Sequence, residues 1–168
     1  MAMMVGILGS VTPPGRSLRA LEYAMRSARE SEAGLEALTF NLADYRISFA
    51  DGRPPEQFGD DTAAVIGEIA RADAVIFGSP VYRGSFSGVL KNLLDHLPIE
   101  ALRGKPCGII AIGATHHHYL GVEWHLRDVL SWFGALVAPT AIYLSSADFV
   151  EGEPSSEARQ NLAALVDT

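Results

Sequence analysis

The alternation of apolar runs with amphipathic stretches is the feature that most constrains how this chain can fold. Short runs that are apolar or that alternate in polarity predict strands at 3–8, 35–40, 74–77, 105–113 and 137–144. After each run, apolar residues at helical spacing predict helices at about 18–28, 60–71, 86–97, 118–133 and 153–166. This βαβαβαβαβα order predicts a parallel sheet with helices on both faces.

The composition of each run predicts its place in the sheet. Three of the predicted strands are nearly continuous apolar runs, which is typical of strands buried on both faces. The run 35–40 alternates in polarity, and the run 137–144 contains Pro139, which cannot donate to a strand ladder. We therefore expect these two strands at the sheet edges. The length of 168 residues is typical of one domain, so we expect a single domain over 1–168.

Charge and cysteine content exclude several classes of protein. Thirteen Lys and Arg against twenty Asp and Glu give a net charge of −7, which argues against a general nucleic-acid binder and against an anionic membrane surface as partner. Cys107 is the only cysteine, so an internal disulfide and a cysteine zinc cluster are excluded. With no targeting or spanning segment in the sequence, we expect a cytoplasmic protein.

Ligands of such sheets bind beyond the carboxyl ends of the strands, so the loops after the first, third and fourth strands are the candidate sites. The first loop, GSVTPPGRS over 9–17, leads from a strand into a helix. Its backbone N–H groups are suited to an anion, with extra donors from the Ser10, Thr12 and Ser17 hydroxyls and from the Arg16 guanidinium. The alternative is an ordinary strand–helix connection with Ser17 as the N-cap.

This loop matches neither of the two common phosphate motifs. Five residues separate Gly9 from Gly15, and Arg16 stands where a P-loop requires lysine. The G-x-G-x-x-G register of a dinucleotide site is also missing. A single phosphate is therefore a better fit than a pyrophosphate.

The second loop carries the most specific motif. The segment GSPVYRGSFSGVLKNLLD, from Gly78 to Asp95, resembles the G-S-P-x-Y-x-G-S-x-x-G-x-L-K-N-x-L-D segment of the NAD(P)H-dependent FMN reductase family. The resemblance covers most of the chain, because that family also has a G-S-x…R-S loop after its first strand. It implies a flavodoxin-like α/β fold, three layers α/β/α, with a five-stranded parallel sheet in the order 2-1-3-4-5.

The resemblance also implies a set of site residues. The FMN phosphate would be held by Ser10, Arg16 and Ser17. The flavin would be lined by the loop Pro80, Val81, Tyr82, Arg83, Gly84 and Ser85, which offers a flat neighbour and backbone donors. Arg83 has two further readings, a contact to the nicotinamide cofactor or an unpaired surface arginine. Lys91 and Asp95 are expected to pair on the outer face of the helix, outside the site.

The third loop is the least determined. By resemblance, its backbone and hydroxyl groups approach the pyrimidine edge of the flavin, through Gly113, Ala114, Thr115 and His116. The histidines at 116–118 depart from the small residues usual in the family, and His118 best matches a family histidine at the start of the fourth helix. Adjacent histidines point to different sides, and adding Glu123 or His125 gives no H-E-x-x-H pattern, so a metal site is disfavoured. A flavin- or nicotinamide-side contact and solvated or helix-capping histidines both stay open.

The activity implied by the resemblance is hydride transfer from NADPH or NADH to FMN, which needs no catalytic side chain because the cofactors carry the chemistry. The reduced flavin would pass to a partner monooxygenase, or to a quinone, azo compound, nitro compound or metal ion. The alternatives are a flavodoxin-type electron carrier and a non-enzymatic flavin-binding domain. The family commonly forms homodimers or homotetramers, and the aromatic residues Trp124, Trp132 and Phe133 are candidate interface residues.

Overall fold

The computed structural model describes residues 2–12 and 15–168, apart from the side chains of 118–120. Its main sheet is parallel, with the order β2-β1-β3-β4-β5 and a further strand, β6, paired with β4. The predicted order 2-1-3-4-5 is therefore confirmed. The strands are β1 Met3–Leu8, β2 Glu36–Asn41, β3 Ala74–Pro80, β4 Pro106–Ile112, β5 Leu136–Val137 and β6 Ile142–Leu144.

The predicted fifth strand is divided in two. Both β5 and β6 pair with β4, Leu136 opposite Pro106 and Ile142 opposite Ile110. Pro139 lies in the gap between them and has no N–H group to donate, so the ladder stops there. The edge position was predicted correctly, but a continuous strand over 137–144 was wrong.

Helices cover both faces of the sheet, as predicted. Side chains from α2, α3 and α4, such as Val65, Leu93 and Leu126, are fully buried against one face, and those from α1 and α5, such as Leu21 and Leu162, against the other. Among the described residues, no helix has the length and apolar character needed to cross a membrane. The helices are α1 Arg16–Ser31, α2 Thr62–Arg71, α3 Gly88–His96, α4 Tyr119–Trp132 and α5 Ser156–Val166.

A small hairpin precedes the last helix, where the sequence predicted that helix to begin. Its strands, β7 Phe149–Val150 and β8 Glu153–Pro154, are antiparallel and are joined by Glu151 and Gly152, which both have positive φ, 52° and 85°. Two such residues form the turn that matches the twist of a tight hairpin. The helix α5 begins only at Ser156, because the Ser155 hydroxyl caps it by accepting from the Ala158 N–H at 3.2 Å.

Candidate functional site

A cavity of about 380 Å³ lies at the carboxyl ends of the central strands, where the loops after β1, β3 and β4 meet. This is the point where the strand order reverses, the usual ligand position in such sheets. Its volume lies within the range of small-molecule sites. The cavity brings together most of the predicted site residues: Ser10, Arg16, Ser17, Pro80, Val81, Tyr82, Gly113 and Ala114.

One end of the cavity is formed by the N-terminus of α1. The N-cap residue is Gly15, which has no side-chain oxygen to accept from the first turn, and that turn contains no acidic residue. Ser17 lies inside the helix, so the reading of Ser17 as its N-cap is wrong. The first turn of α1 therefore has no side-chain cap among the described residues, and its residues Gly15, Arg16 and Ser17 line the cavity. Free first-turn N–H groups and a guanidinium are suited to an anion, so this end of the cavity is a candidate anion site.

The loop after β1 is held tightly in place. The Gly9 N–H donates to the Gly78 carbonyl at 2.8 Å, and a Cβ on Gly9 would lie 2.6 Å from the Leu90 Cβ. Only glycine allows the loop to approach α3 so closely. The buried Ser10 hydroxyl accepts from the Thr12 N–H at 3.3 Å, which fixes the turn that follows.

The loop after β3 is organised around the buried hydroxyl of Ser79. It donates to the Pro80 carbonyl at 2.9 Å and accepts from the Ser87 N–H at 3.0 Å, while the Ser87 hydroxyl caps α3 through the Leu90 N–H. Pro80 pairs with Ile112, and the Val81 N–H donates to the Ile112 carbonyl at 2.8 Å, so both residues lie along the carboxyl end of β4. These bonds place Pro80 and Val81 on the cavity wall.

The tip of this loop is a tight turn. Tyr82 and Ser85 exchange backbone hydrogen bonds of 2.8 and 3.1 Å, and the two residues between them, Arg83 and Gly84, have φ of 52° and 79°. Tyr82 is 40% exposed and lines the cavity, whereas Arg83 and Gly84 are exposed at the tip of the turn. We call the segment 82–85 the 82–85 turn.

Helix α4 contacts the 82–85 turn at two points. A Cβ on Gly121 would lie 2.1 Å from the Gly84 carbonyl oxygen, so the helix backbone and the turn are in direct contact. One helical turn further, His125 Nδ1 lies 2.9 Å from Ser85 Oγ. The hydroxyl of Ser85 is thus bonded to a helix outside the cavity. Lys91 and Asp95 form the predicted exposed ion pair on α3, at 2.5 Å.

The loop after β4 enters the cavity only at its first two residues, Gly113 and Ala114. The Thr115 carbonyl accepts from Tyr143 Oη at 2.5 Å, and His116 Nε2 lies 3.3 Å from Ser145 Oγ. Burial raises the pKa of the Tyr143 phenol, with the Asp148 carboxylate adding to that shift. Thr115 and His116 therefore connect this loop to the end of β6.

The predicted histidine cluster has no metal-binding geometry in the part of the chain that the structure describes. His117 is exposed, and the side chain of His118 lies outside the described residues. No group of three His, Cys, Asp or Glu side chains is placed to hold one ion among the described residues.

One polar cavity residue was missed by sequence reasoning. Asn41, at the carboxyl end of β2, is buried and lines the cavity, donating to Asp44 Oδ2 at 3.1 Å and accepting from the Ala43 N–H at 3.4 Å. The signal was available, because Asn41 is a polar residue at the end of a parallel strand beside β1. The alternating polarity of that strand predicts only its position at the sheet edge.

Comparison with known proteins identifies relatives over nearly the whole chain. The chain is 33% identical over 164 residues to an NAD(P)H-dependent FAD/FMN reductase of Geobacillus thermodenitrificans. The matched region covers 96% of this chain and 88% of the relative. It is 30% identical over 164 residues to the NADH-dependent FMN reductase SfnF of Pseudomonas fluorescens, covering 96% of this chain and 87% of the relative.

The fold is shared with solved structures. The apo form of an NADH:FMN oxidoreductase superposes with a TM-score of 0.83 at 22% identity, covering 99% of this chain and 87% of that one. The family model described as NADPH-dependent FMN reductase matches residues 2–149. The motif after β3, the strand order and these matches agree, and the chain belongs to the NADPH-dependent FMN reductase family.

Proposed function

We propose that this protein binds FMN in the cavity at the carboxyl ends of the strands and reduces it with NADPH or NADH. The observation that carries the proposal is the uncapped N-terminus of α1, which opens into the same cavity as Arg16 and Ser10. An anion site at one end and the wall of Pro80, Val81 and Tyr82 at the other suit a ligand with a phosphate and a planar ring.

The residues of the chain act by binding and orientation. The first-turn N–H groups of α1 and the Arg16 guanidinium hold the phosphate, and the Ser10 and Ser17 hydroxyls add donors. Pro80 and Tyr82 would line the ring and limit the access of water to it, and the backbone of Gly113 and Ala114 would offer hydrogen-bonding groups to its polar edge. Flavin, when bound, supplies the redox chemistry by accepting hydride at N5 from nicotinamide C4. No acid or base on the protein is required.

For the nicotinamide donor and the final electron acceptor, we propose classes of compound. The names of the two relatives include both NAD(P)H and NADH, so we propose that either nicotinamide serves here. The exposed Arg83, which follows the cavity residue Tyr82, is the candidate contact for a cofactor phosphate. We propose that reduced FMN leaves the partly open cavity and passes its electrons to a monooxygenase or to a quinone, azo compound or metal ion.

Replacing Arg16 with Ala tests the phosphate contact together with the activity. We expect the wild-type protein to oxidise NADPH or NADH when FMN is added, and R16A to raise the KM for FMN about tenfold, because a charged hydrogen-bond partner of the phosphate is lost. The KM for riboflavin, which lacks the phosphate, should stay within about twofold. Steady-state nicotinamide oxidation measures both constants.

The control for charge is Arg26→Ala, on the same helix but outside the cavity, where the guanidinium stacks on Tyr23 at 5.2 Å. It should leave both KM values unchanged. Failure of the wild-type protein to oxidise either nicotinamide with FMN present would contradict the reductase proposal. Tight FMN binding without that oxidation would instead indicate an electron carrier.

We also propose that the protein self-associates through α4. Trp124 and Trp132 on this helix are 65% and 68% exposed, and Trp132 borders a cleft of about 480 Å³ between α3 and α4 that also contains Ile99. Phe133 also borders this cleft but is buried at 5% exposure, so the proposal rests on the two tryptophans. Large exposed aromatic residues are typical of interfaces.

Light scattering tests this proposal. We expect the wild-type protein to have the mass of a dimer or tetramer and W124S/W132S to shift toward the monomer, because two large apolar contacts are removed. Phe49 is 83% exposed and does not line this cleft, so F49S is the matched control and should keep the wild-type mass. A wild-type monomer would contradict self-association.

A further inference from the structure

Arg16 is held by an aromatic ring and not by a carboxylate. Its Cζ lies 5.9 Å from the centroid of the Phe149 ring, within cation–π range. Among the residues that the structure describes, Arg16 has no salt bridge. A ring face attracts the guanidinium without accepting its N–H groups in the plane, so the charge and the five donors stay available to a ligand.

Phe149 is itself fixed from two sides. It is half-buried against the core between the sheet and helices α1 and α5, and as part of β7 it pairs with Pro154 on β8. The preceding residue, Asp148, accepts from the Ser145 N–H at 2.7 Å and from the Ser145 hydroxyl at 2.8 Å, which closes a capping box. The Ser155 N–H donates to the Asp148 carbonyl at 2.8 Å. The ring therefore cannot follow Arg16 freely.

The hairpin of β7 and β8 lies beside the first turn of α1. Arg19, three residues after Arg16, lies 3.5 Å from Glu153 on β8. This exposed ion pair contributes little energy by itself, but it shows that the hairpin and the first turn of α1 run side by side. The Phe149 ring thus belongs to a hairpin that lies beside the candidate anion site.

We propose that Phe149 is a positioning residue that holds the Arg16 guanidinium toward the anion site and thereby sets the preference for FMN over riboflavin. The inference rests on the proposed function, because it takes Arg16 as a contact of the FMN phosphate. Phe149 does not line the cavity and acts only through Arg16. A long arginine side chain loses considerable rotamer freedom when it binds, and a ring that already restricts it lowers that cost.

A double-mutant cycle on the full-length protein tests this proposal. Dissociation constants for FMN and for riboflavin are measured by flavin fluorescence for wild type, F149L, R16A and R16A/F149L. We expect F149L to weaken FMN binding about two- to fivefold, the range of one cation–π contact, and to leave riboflavin binding unchanged. In the R16A background, F149L should have no further effect on FMN binding, because the residue through which Phe149 acts is gone.

Conservative variants separate the ring face from its bulk. F149Y keeps the ring and should bind FMN like the wild type, whereas F149M keeps the bulk without the ring and should behave like F149L. F149M also replaces F149L if the latter does not fold, and thermal unfolding of each variant reports on that. The outcomes that overturn the proposal are equal weakening of FMN and riboflavin, or an F149L effect that persists without Arg16. A wild-type protein that binds neither FMN nor riboflavin would overturn the proposed function as well. This result is distinguishable from the two outcomes just given.

Discussion

Replacing Gly15 with Asp should weaken FMN binding more than a hundredfold while making the folded protein more stable. Gly15 is the N-cap of α1 and has φ −151° and ψ −160°, an extended conformation that any residue can adopt. An Asp carboxylate there accepts from the first-turn N–H groups that are otherwise offered to the phosphate. It also places a second negative charge within a few ångströms of that phosphate, a repulsion of about 4 kcal/mol at an effective dielectric of 20.

The stability change has the opposite sign. An acidic N-cap and the loss of glycine's freedom in the unfolded chain together should raise the free energy of unfolding by about 1 kcal/mol. Titration of FMN and chemical denaturation measure the two effects separately. Gly15→Ala is the matched control, because it adds a Cβ without an oxygen, and it should keep FMN affinity within about threefold. FMN affinity of G15D close to that of wild type would place the phosphate elsewhere.

Gly121→Ala is expected to disturb the 82–85 turn and to destabilise the protein. The added Cβ would lie 2.1 Å from the Gly84 carbonyl oxygen and 2.7 Å from its carbon, and both are backbone atoms that no side-chain rotation can move. Either α4 or the turn must shift, and the overpacking costs about 1–3 kcal/mol. Because Tyr82 belongs to the same turn, we expect FMN affinity to fall about tenfold or more.

The control for this substitution is another helical glycine. Gly67 on α2 has nothing within 4 Å of a built Cβ, so Gly67→Ala should gain up to about 1 kcal/mol of stability from helix propensity and leave FMN binding unchanged. Denaturant unfolding and FMN titration of both variants give the comparison. A G121A protein with the stability gain of G67A and wild-type affinity would show that α4 does not support the turn.

Local sequence patterns were sufficient for the α/β class and for the loops that form the cavity, whereas the strand order and the individual wall residues came from the family resemblance. Nearly continuous apolar runs place β1, β3 and β4 inside the sheet, and the carboxyl ends of parallel strands then determine which loops converge. The motif after β3 carries Pro80, Val81 and Tyr82, which all line the cavity. The roles assigned by resemblance to these residues stay predictions.

The features that were missed depend on short elements or on residues far apart in the chain. The strands β7 and β8 have two residues each, too short to show a period of two. Ser85 and His125 are 40 residues apart, and His116 and Ser145 are 29 apart, so no local pattern connects either pair. Tertiary packing alone shows that Ser85 and His116 are bonded to side chains outside the cavity.

The proline in the gap between β5 and β6 also affects how the protein behaves at high concentration. An unpaired edge strand can recruit a strand from another molecule, and this becomes easier as the continuous row of free N–H and C=O groups lengthens. Here the edge beside β4 offers runs of only two and three residues, separated by Pro139. The interruption therefore protects this side of the sheet from edge-to-edge aggregation.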